Sequence, residues 1–147
     1  MAGIEKSASI LIRRPLAEVF SFVADPEKFT LWQPFVIEAE LTSPKPIGKG
    51  TTYRYCFKAL GSELETSGII TAYEPFFGYQ YQSTSGPFPI MGGFSFQKVD
   101  DFVEVTAFGE AESSGYFSMA QPLIGLILGR QLKVMLQTLK EILESSG

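Results

Sequence analysis

Between Phe35 and Ala107 the apolar residues recur with a period of two, and from about Ser118 to Glu144 they recur with the period of a helix. Successive strand side chains point to opposite faces, so the first stretch demands an antiparallel sheet with one apolar face. The first half of the helix that follows is apolar on every side, and such a helix must be covered all round or meet lipid or a partner. A sheet that has to wrap one long helix tends to leave space between the two. What fills that space is the question this chain poses.

Ahead of the alternating region, residues 4–12 read as a first or edge strand, ended by Arg13-Arg14-Pro15. Pro15 suits the first turn of a helix running to Ala24, in which Leu16, Val19, Phe20 and Val23 make one buried stripe. Asp25-Pro26-Glu27 restarts a short helix to about Trp32, and Pro34 stops it. Six strands then follow. The alternation turns Phe35, Ile37, Ala39 and Leu41 inward, then Tyr53, Tyr55 and Phe57, then Leu64, Thr66, Gly68, Ile70 and Ala72. Later runs turn in Tyr79, Tyr81 and Ser83, then Phe94 and Phe96, then Val103, Val105 and Ala107. Ile69 and Tyr73 suit the outer face poorly, which leaves the parity of 63–73 open. Gly92-Gly93 reads as a break and Asp100-Asp101 as a tight hairpin turn. In the last helix Leu128, Leu132, Met135, Leu136, Leu139 and Leu143 form one stripe, while Leu123, Ile124, Leu126 and Ile127 surround its beginning. The fold class is α+β: a curved antiparallel sheet around a long C-terminal helix, with two short helices after the first strand. At 147 residues and 45% hydrophobic content, one domain over 1–147 can bury its own core.

Several chemistries are excluded by what the sequence lacks. There is no His, which removes Ser-His-Asp and Cys-His nucleophile systems and His-ligated zinc. The single Cys, Cys56, offers neither a disulfide framework nor a thiolate cluster. A net charge of −4 with scattered Lys and Arg argues against nucleic acid. No stretch approaches the roughly 18 apolar residues of a membrane span, and the first residues lack the pattern of a secretory signal. The expectation is a soluble cytoplasmic protein without metal or cofactor and without stable membrane insertion. Gly48-Lys49-Gly50-Thr51-Thr52 lacks the glycines of a phosphate loop and precedes a strand, so it reads as a turn. Gly86 to Gly93 reads equally as a flap or a plain hairpin connection.

Four passages in this order, RPLAEVFSFVADPEKFTLWQP, PIGKGTTYRY, IITAYEP followed by FFGYQYQS, and the amphipathic C-terminal helix, resemble the polyketide cyclase/dehydrase and lipid-transport (SRPBCC) family. That family lies within the START-like, or Bet v 1-like, superfamily. The resemblance covers nearly the whole length and implies a helix-grip fold enclosing an apolar cavity. It implies no catalytic residue, because the superfamily spans carriers, cyclases, dehydratases and ligand sensors without a shared catalytic motif.

On that fold Tyr53, Tyr55, Tyr79, Tyr81, Phe94, Phe96, Leu123 and Ile127 are the expected ligand-contacting residues, rings and aliphatics with a few hydroxyls. Glu63 and Glu65 share one face of their strand, read here as the outer one. If the parity is reversed they turn inward, and Glu65 becomes the first catalytic candidate. The leading functional reading is binding or transport of a small hydrophobic molecule: a lipid, a quinone or a polyketide-like aromatic. Its rivals are a cyclase/dehydratase-type enzyme using Tyr and Glu as acid/base groups, and a ligand-sensing interaction module. The balance is against catalysis. The over-apolar start of the helix is assigned to the sheet or to a homodimer partner.

Overall fold

The computed structural model of the chain describes residues 3–59, 61–86, 89–112 and 121–145, with residues 3–4, 59, 112 and 121–124 described by backbone alone. Its elements are β1 Gly3–Ile12, α1 Leu16–Val23, a 3-10 turn Pro26–Lys28, α2 Phe29–Trp32, β2 Val36–Leu41, β3 Thr52–Ala59, β4 Ser62–Glu74, β5 Gly78–Ser85, β6 Ile90–Val99, β7 Phe102–Glu112 and α3 Gln121–Ser145. The strands form one antiparallel sheet in the order β1-β7-β6-β5-β4-β3-β2. From β2 to β7 every strand pairs with its neighbour in sequence, and β1 closes the far side by pairing with β7. The sheet curls around α3 in the helix-grip arrangement that the alternation and the terminal helix predict.

Local chemistry explains the joints. Asp25 accepts a hydrogen bond from the Glu27 amide at 3.0 Å, capping the turn that Pro26 opens. Val19, Phe20 and Val23 of α1 are buried as its stripe requires. Gly48–Thr51 is a turn in which the Gly48 amide donates to Thr51 Oγ1 at 2.8 Å, and Gly50 takes a φ of 94° there. Asp100 takes a φ of 55° in the β6–β7 hairpin, where Val99 faces Phe102.

Two bulges correct the inner-face assignment. In β4 the register slips between Ile70 and Ala72, so Leu64, Thr66, Gly68 and Ile70 face inward as expected but Ala72 is exposed and Tyr73 turns in. In β2 the slip falls between Val36 and Glu38, which buries Val36 and leaves Ile37 44% exposed. One extra residue reverses the parity of everything beyond it and sharpens the local twist. The poor fit of Tyr73 in a uniform alternation was the trace of the first bulge. Gly92-Gly93 does not break a strand; both residues lie within β6 and pair with Gly109 and Phe108 of β7. The start assigned to α3 at Ser118, and residues 87–88 of the Gly86–Gly93 segment, lie outside the described residues.

At its C-terminal end α3 is tied to the exit of β1. Lys140 Nζ donates to the Leu11 carbonyl at 2.7 Å, and Glu144 accepts from the Arg13 amide at 2.9 Å and from Lys140 at 2.8 Å. These contacts hold the Glu144 carboxyl below its ordinary value of 4.5, first through Lys140 and then through the Arg13 amide. A depressed carboxyl contributes stability above its unfolded pKa and loses it as pH falls through the folded one. After solvent screening the contribution is about 1 kcal/mol. Glu144→Gln is therefore expected to lower Tm at neutral pH by about 2–4 °C. Thermal melts across pH should show that difference shrinking as pH falls below the ordinary carboxyl range and through the depressed folded value; a constant difference at all pH values would contradict this role.

Candidate functional site

The helix does not meet the whole sheet. α3 runs close to β1 and β7, and Gly109 and Gly129 lie at the contact. A Cβ placed on Gly109 would lie 3.4 Å from Leu128, and one on Gly129 would lie 3.6 Å from the Lys6 methylenes. The inner faces of β3, β4 and β5 stand opposite, and large side chains span the gap. On one side Phe20 of α1 fills it, edge-on to Phe96 at 5.1 Å and to Tyr73 at 5.5 Å. On the other side a cavity of about 120 Å³ remains.

Its sheet wall is Tyr53, Tyr55, Phe57, Tyr81 and Phe94; its helix wall is Ile127, Leu128, Gln131, Leu132 and Met135 of α3. Phe29, Gln33 and Phe35, from α2 and the segment after it, form a third side, and Ile90 and Ala111 complete the lining. Five of the sequence-predicted residues are thus brought together: Tyr53, Tyr55, Tyr81, Phe94 and Ile127. Tyr79 and Phe96 face inward and are buried but do not line the cavity. The Tyr79 hydroxyl donates to the Val23 carbonyl at 3.0 Å, and Phe96 packs on Phe20; both lie on the side that α1 fills. The Leu123 side chain is outside the described residues. Sequence reasoning missed the two carboxamides, Gln33 and Gln131. Gln131 had a signal, since it stands three positions after Leu128 and four after Ile127 on the same helix. Gln33, next to Pro34, had none.

Glu63 and Glu65 lie on the exposed outer face. Glu65 is 3.2 Å from Arg54, which also pairs with Glu38 at 2.9 Å and Glu40 at 3.2 Å; Cys56 Sγ lies 3.8 Å from Glu65. Among the described residues, no group of three or more Cys, Asp or Glu side chains is placed to hold a metal ion.

Two cavity tyrosines are seated over glycines on the adjacent strand. Tyr53 faces Gly68 across β3–β4, and Tyr81 faces Gly92 across β5–β6. A Cβ on Gly68 would come within 2.7 Å of the Tyr53 hydroxyl, and one on Gly92 within 2.8 Å of the Tyr81 hydroxyl. Tyr53 and Tyr55 stack at 6.1 Å, and Phe29 meets both rings edge-on at 5.9 and 6.2 Å. Unlike that of Tyr79, the hydroxyls of Tyr53, Tyr55 and Tyr81 have no hydrogen-bond partner among the described residues. Burial raises all three phenols, Tyr81 to about 12 and Tyr53 and Tyr55 well above the ordinary value. At neutral pH each is a protonated O–H that donates or accepts a hydrogen bond and does not act as a base. Behind the lining, Trp32 Nε1 and Thr66 Oγ1 are also buried without a partner among the described residues.

The chain belongs to the polyketide cyclase/dehydrase and lipid-transport family, whose model matches residues 4–144. No curated protein matches it. Solved structures of the same fold include TTHA0849 from Thermus thermophilus, 17% identical with a TM-score of 0.85 over 97% of this chain and 99% of that one. A START superfamily protein from Mycobacterium smegmatis is 14% identical with a TM-score of 0.85, over 97% and 99% of the two chains. The Zhui aromatase/cyclase from Streptomyces sp. R1128 is 11% identical at the same TM-score, over 97% and 94%. At these identities the likeness is one of fold, the START-like, or Bet v 1-like, fold. Family and fold together support a hydrophobic ligand-binding architecture. No helix among the described residues is long and apolar enough to cross a membrane.

The Tyr53–Gly68 contact is testable. Alanine ordinarily suits a strand better than glycine, yet Gly68→Ala must displace the Tyr53 ring, and the expected loss is about 1–3 kcal/mol. In a Tyr53→Ala background the same substitution should cost less, leaving only the 3.2 Å approach to the Gln82 carbonyl. Denaturant unfolding of the double-mutant cycle reads the coupling, and additive effects would mean that the ring does not rest on Gly68.

Proposed function

We propose that this protein binds or carries a small hydrophobic molecule in the cavity between the sheet and α3. The observation that carries the reading is a partly open, mainly apolar cavity of about 120 Å³ bordered by phenols with no partner among the described residues. Its size orders the ligand classes. A cavity of about 150 Å³ holds benzene, whereas sites for drug-sized molecules run to about 300–1,000 Å³. The space is on the scale of one small aromatic ring, and its open side leaves a larger ring room to extend outward. A lipid chain or a polycyclic polyketide exceeds the space and must displace lining side chains or extend through its open side. The family's own description joins lipid transport to cyclisation and dehydration, in keeping with a ligand at this place in the fold. The proposal sets the protein in the cytoplasm as one domain with no nucleic-acid partner.

The converging phenols favour one second reading, an enzyme of the cyclase/dehydratase kind. Neutral phenols in an apolar enclosure can donate to a developing enolate oxygen. Among the described residues the lining holds no carboxylate to exchange the proton, and Glu65 lies on the opposite face of the sheet, so binding remains the leading reading.

Native mass spectrometry of freshly purified protein, followed by solvent extraction, tests it directly: a stoichiometric lipophilic adduct is expected. For the ligand so identified, Ile127→Trp fills the cavity and Tyr81→Ala removes part of its wall, and affinity should fall by at least ~10-fold in the first and measurably in the second. Glu65→Gln, on the outer face, should leave binding unchanged. Unaltered affinity in both wall variants would show that the ligand sits elsewhere.

A further inference from the structure

The cavity has hydrogen-bonding groups on two sides and, among the described residues, formal charge on none. Its polar lining consists of Tyr53, Tyr55 and Tyr81 from the sheet and Gln33 and Gln131 from the helical side. Each of these groups can both donate and accept, and none supplies a counterion. Charge on the same strands is turned away: Arg54, between Tyr53 and Tyr55, is engaged by Glu38, Glu40 and Glu65 on the outer face. Along α3 and β1 the neighbouring cations, Arg130, Lys133 and Lys6, are exposed, Lys6 laying its methylenes against Gly129.

The sequence extends the pattern. In a chain that is 19% charged, residues 75–97 and 113–129 contain no Asp, Glu, Lys or Arg. Those stretches supply Tyr81, Ile90 and Phe94 on one side of the cavity and Ile127 and Leu128 on the other. A carboxylate or ammonium held among these rings would lose part of its water and gain no opposite charge from the described lining, and an ion unpaired in apolar surroundings is disfavoured. A neutral ligand with a carbonyl, hydroxyl or amide would instead meet unengaged donors and acceptors.

We infer that the cavity selects an uncharged ring-sized molecule bearing a hydrogen-bonding group and rejects carboxylates and amines of the same shape. This rests on the cavity being a binding site and narrows its ligand: free fatty acids and aromatic acids are excluded as anions, while neutral phenols, quinones, ketones and amides are accepted.

Four probes of nearly one shape separate the possibilities: benzamide, benzoate, benzylammonium and toluene, titrated near neutral pH by ligand-observed and protein-observed NMR. Benzamide should bind with shifts at the lining, and benzoate and benzylammonium at least ~30-fold more weakly. Gln131→Leu should lower benzamide affinity relative to toluene by about three- to tenfold, the worth of one hydrogen bond. Benzoate binding within about threefold of benzamide, with both lost in Ile127→Trp, would overturn the charge selection and leave the binding reading standing. A benzamide-to-toluene ratio unchanged by Gln131→Leu, in a variant that still folds, would overturn the polar part. Failure of all four probes to bind, or benzamide binding indifferent to Ile127→Trp, would overturn the binding reading itself.

Discussion

The seating of α3 on β1 and β7 is the constraint from which the rest of the architecture follows. Where the helix meets those strands, Gly109 lies against Leu128 and Gly129 against the Lys6 stem. At the far end Lys140 and Glu144 bind the last backbone groups of β1. A helix drawn to one margin of a curled sheet cannot also touch its middle. β3, β4 and β5 therefore face a gap that only long side chains can cross, which accounts for the aromatic load of the inner face. Dense packing throughout would require those rings to interlock completely. They do so around Phe20 and do not around Tyr53, Tyr55 and Tyr81.

Glycine and tyrosine share the curvature. On β4 and β6 the inner face carries Gly68 and Gly92, and the ring of the paired residue lies across each vacancy. The backbone can then bend where a side chain would obstruct it, and the ring is fixed in orientation by what lies beneath. The same contact that lets the sheet curl thus holds the phenol at the cavity wall.

Period-two alternation made the sheet, its strand count and most of its inner face legible in the sequence, because a strand has only two sides. The bulges were not legible, since an extra residue leaves its mark only as a parity conflict, visible at Tyr73 and invisible at Ile37. For the cavity, alternation identifies residues that point inward but not those that meet another element there. Tyr79 and Phe96 satisfy the pattern as well as Tyr53 and Tyr81 do; what separates them is the placement of α1, a long-range fact with no local signature. Gln33 escaped notice for a related reason. Polarity at a helix end ordinarily signals solvent, and only the packed chain shows that this end is buried.

The division of the interior separates stability from recognition. The half closed by α1 contains Val19, Val23, Ile12, Val105, Leu136 and Leu139, all almost wholly inaccessible, together with the one buried tyrosine hydroxyl that has a backbone acceptor. In the other half, five polar side chains border the cavity and two more buried polar atoms lie behind it without partners among the described residues. Burying polar groups without partners opposes folding, so their concentration on one side has a consequence for binding. Trp32 and Thr66 do not border the cavity, so what an entering molecule can complete is the hydrogen bonding of the lining phenols and carboxamides. A ring-sized ligand, too small to bind tightly by apolar burial alone, would gain affinity from the same groups that fix its orientation.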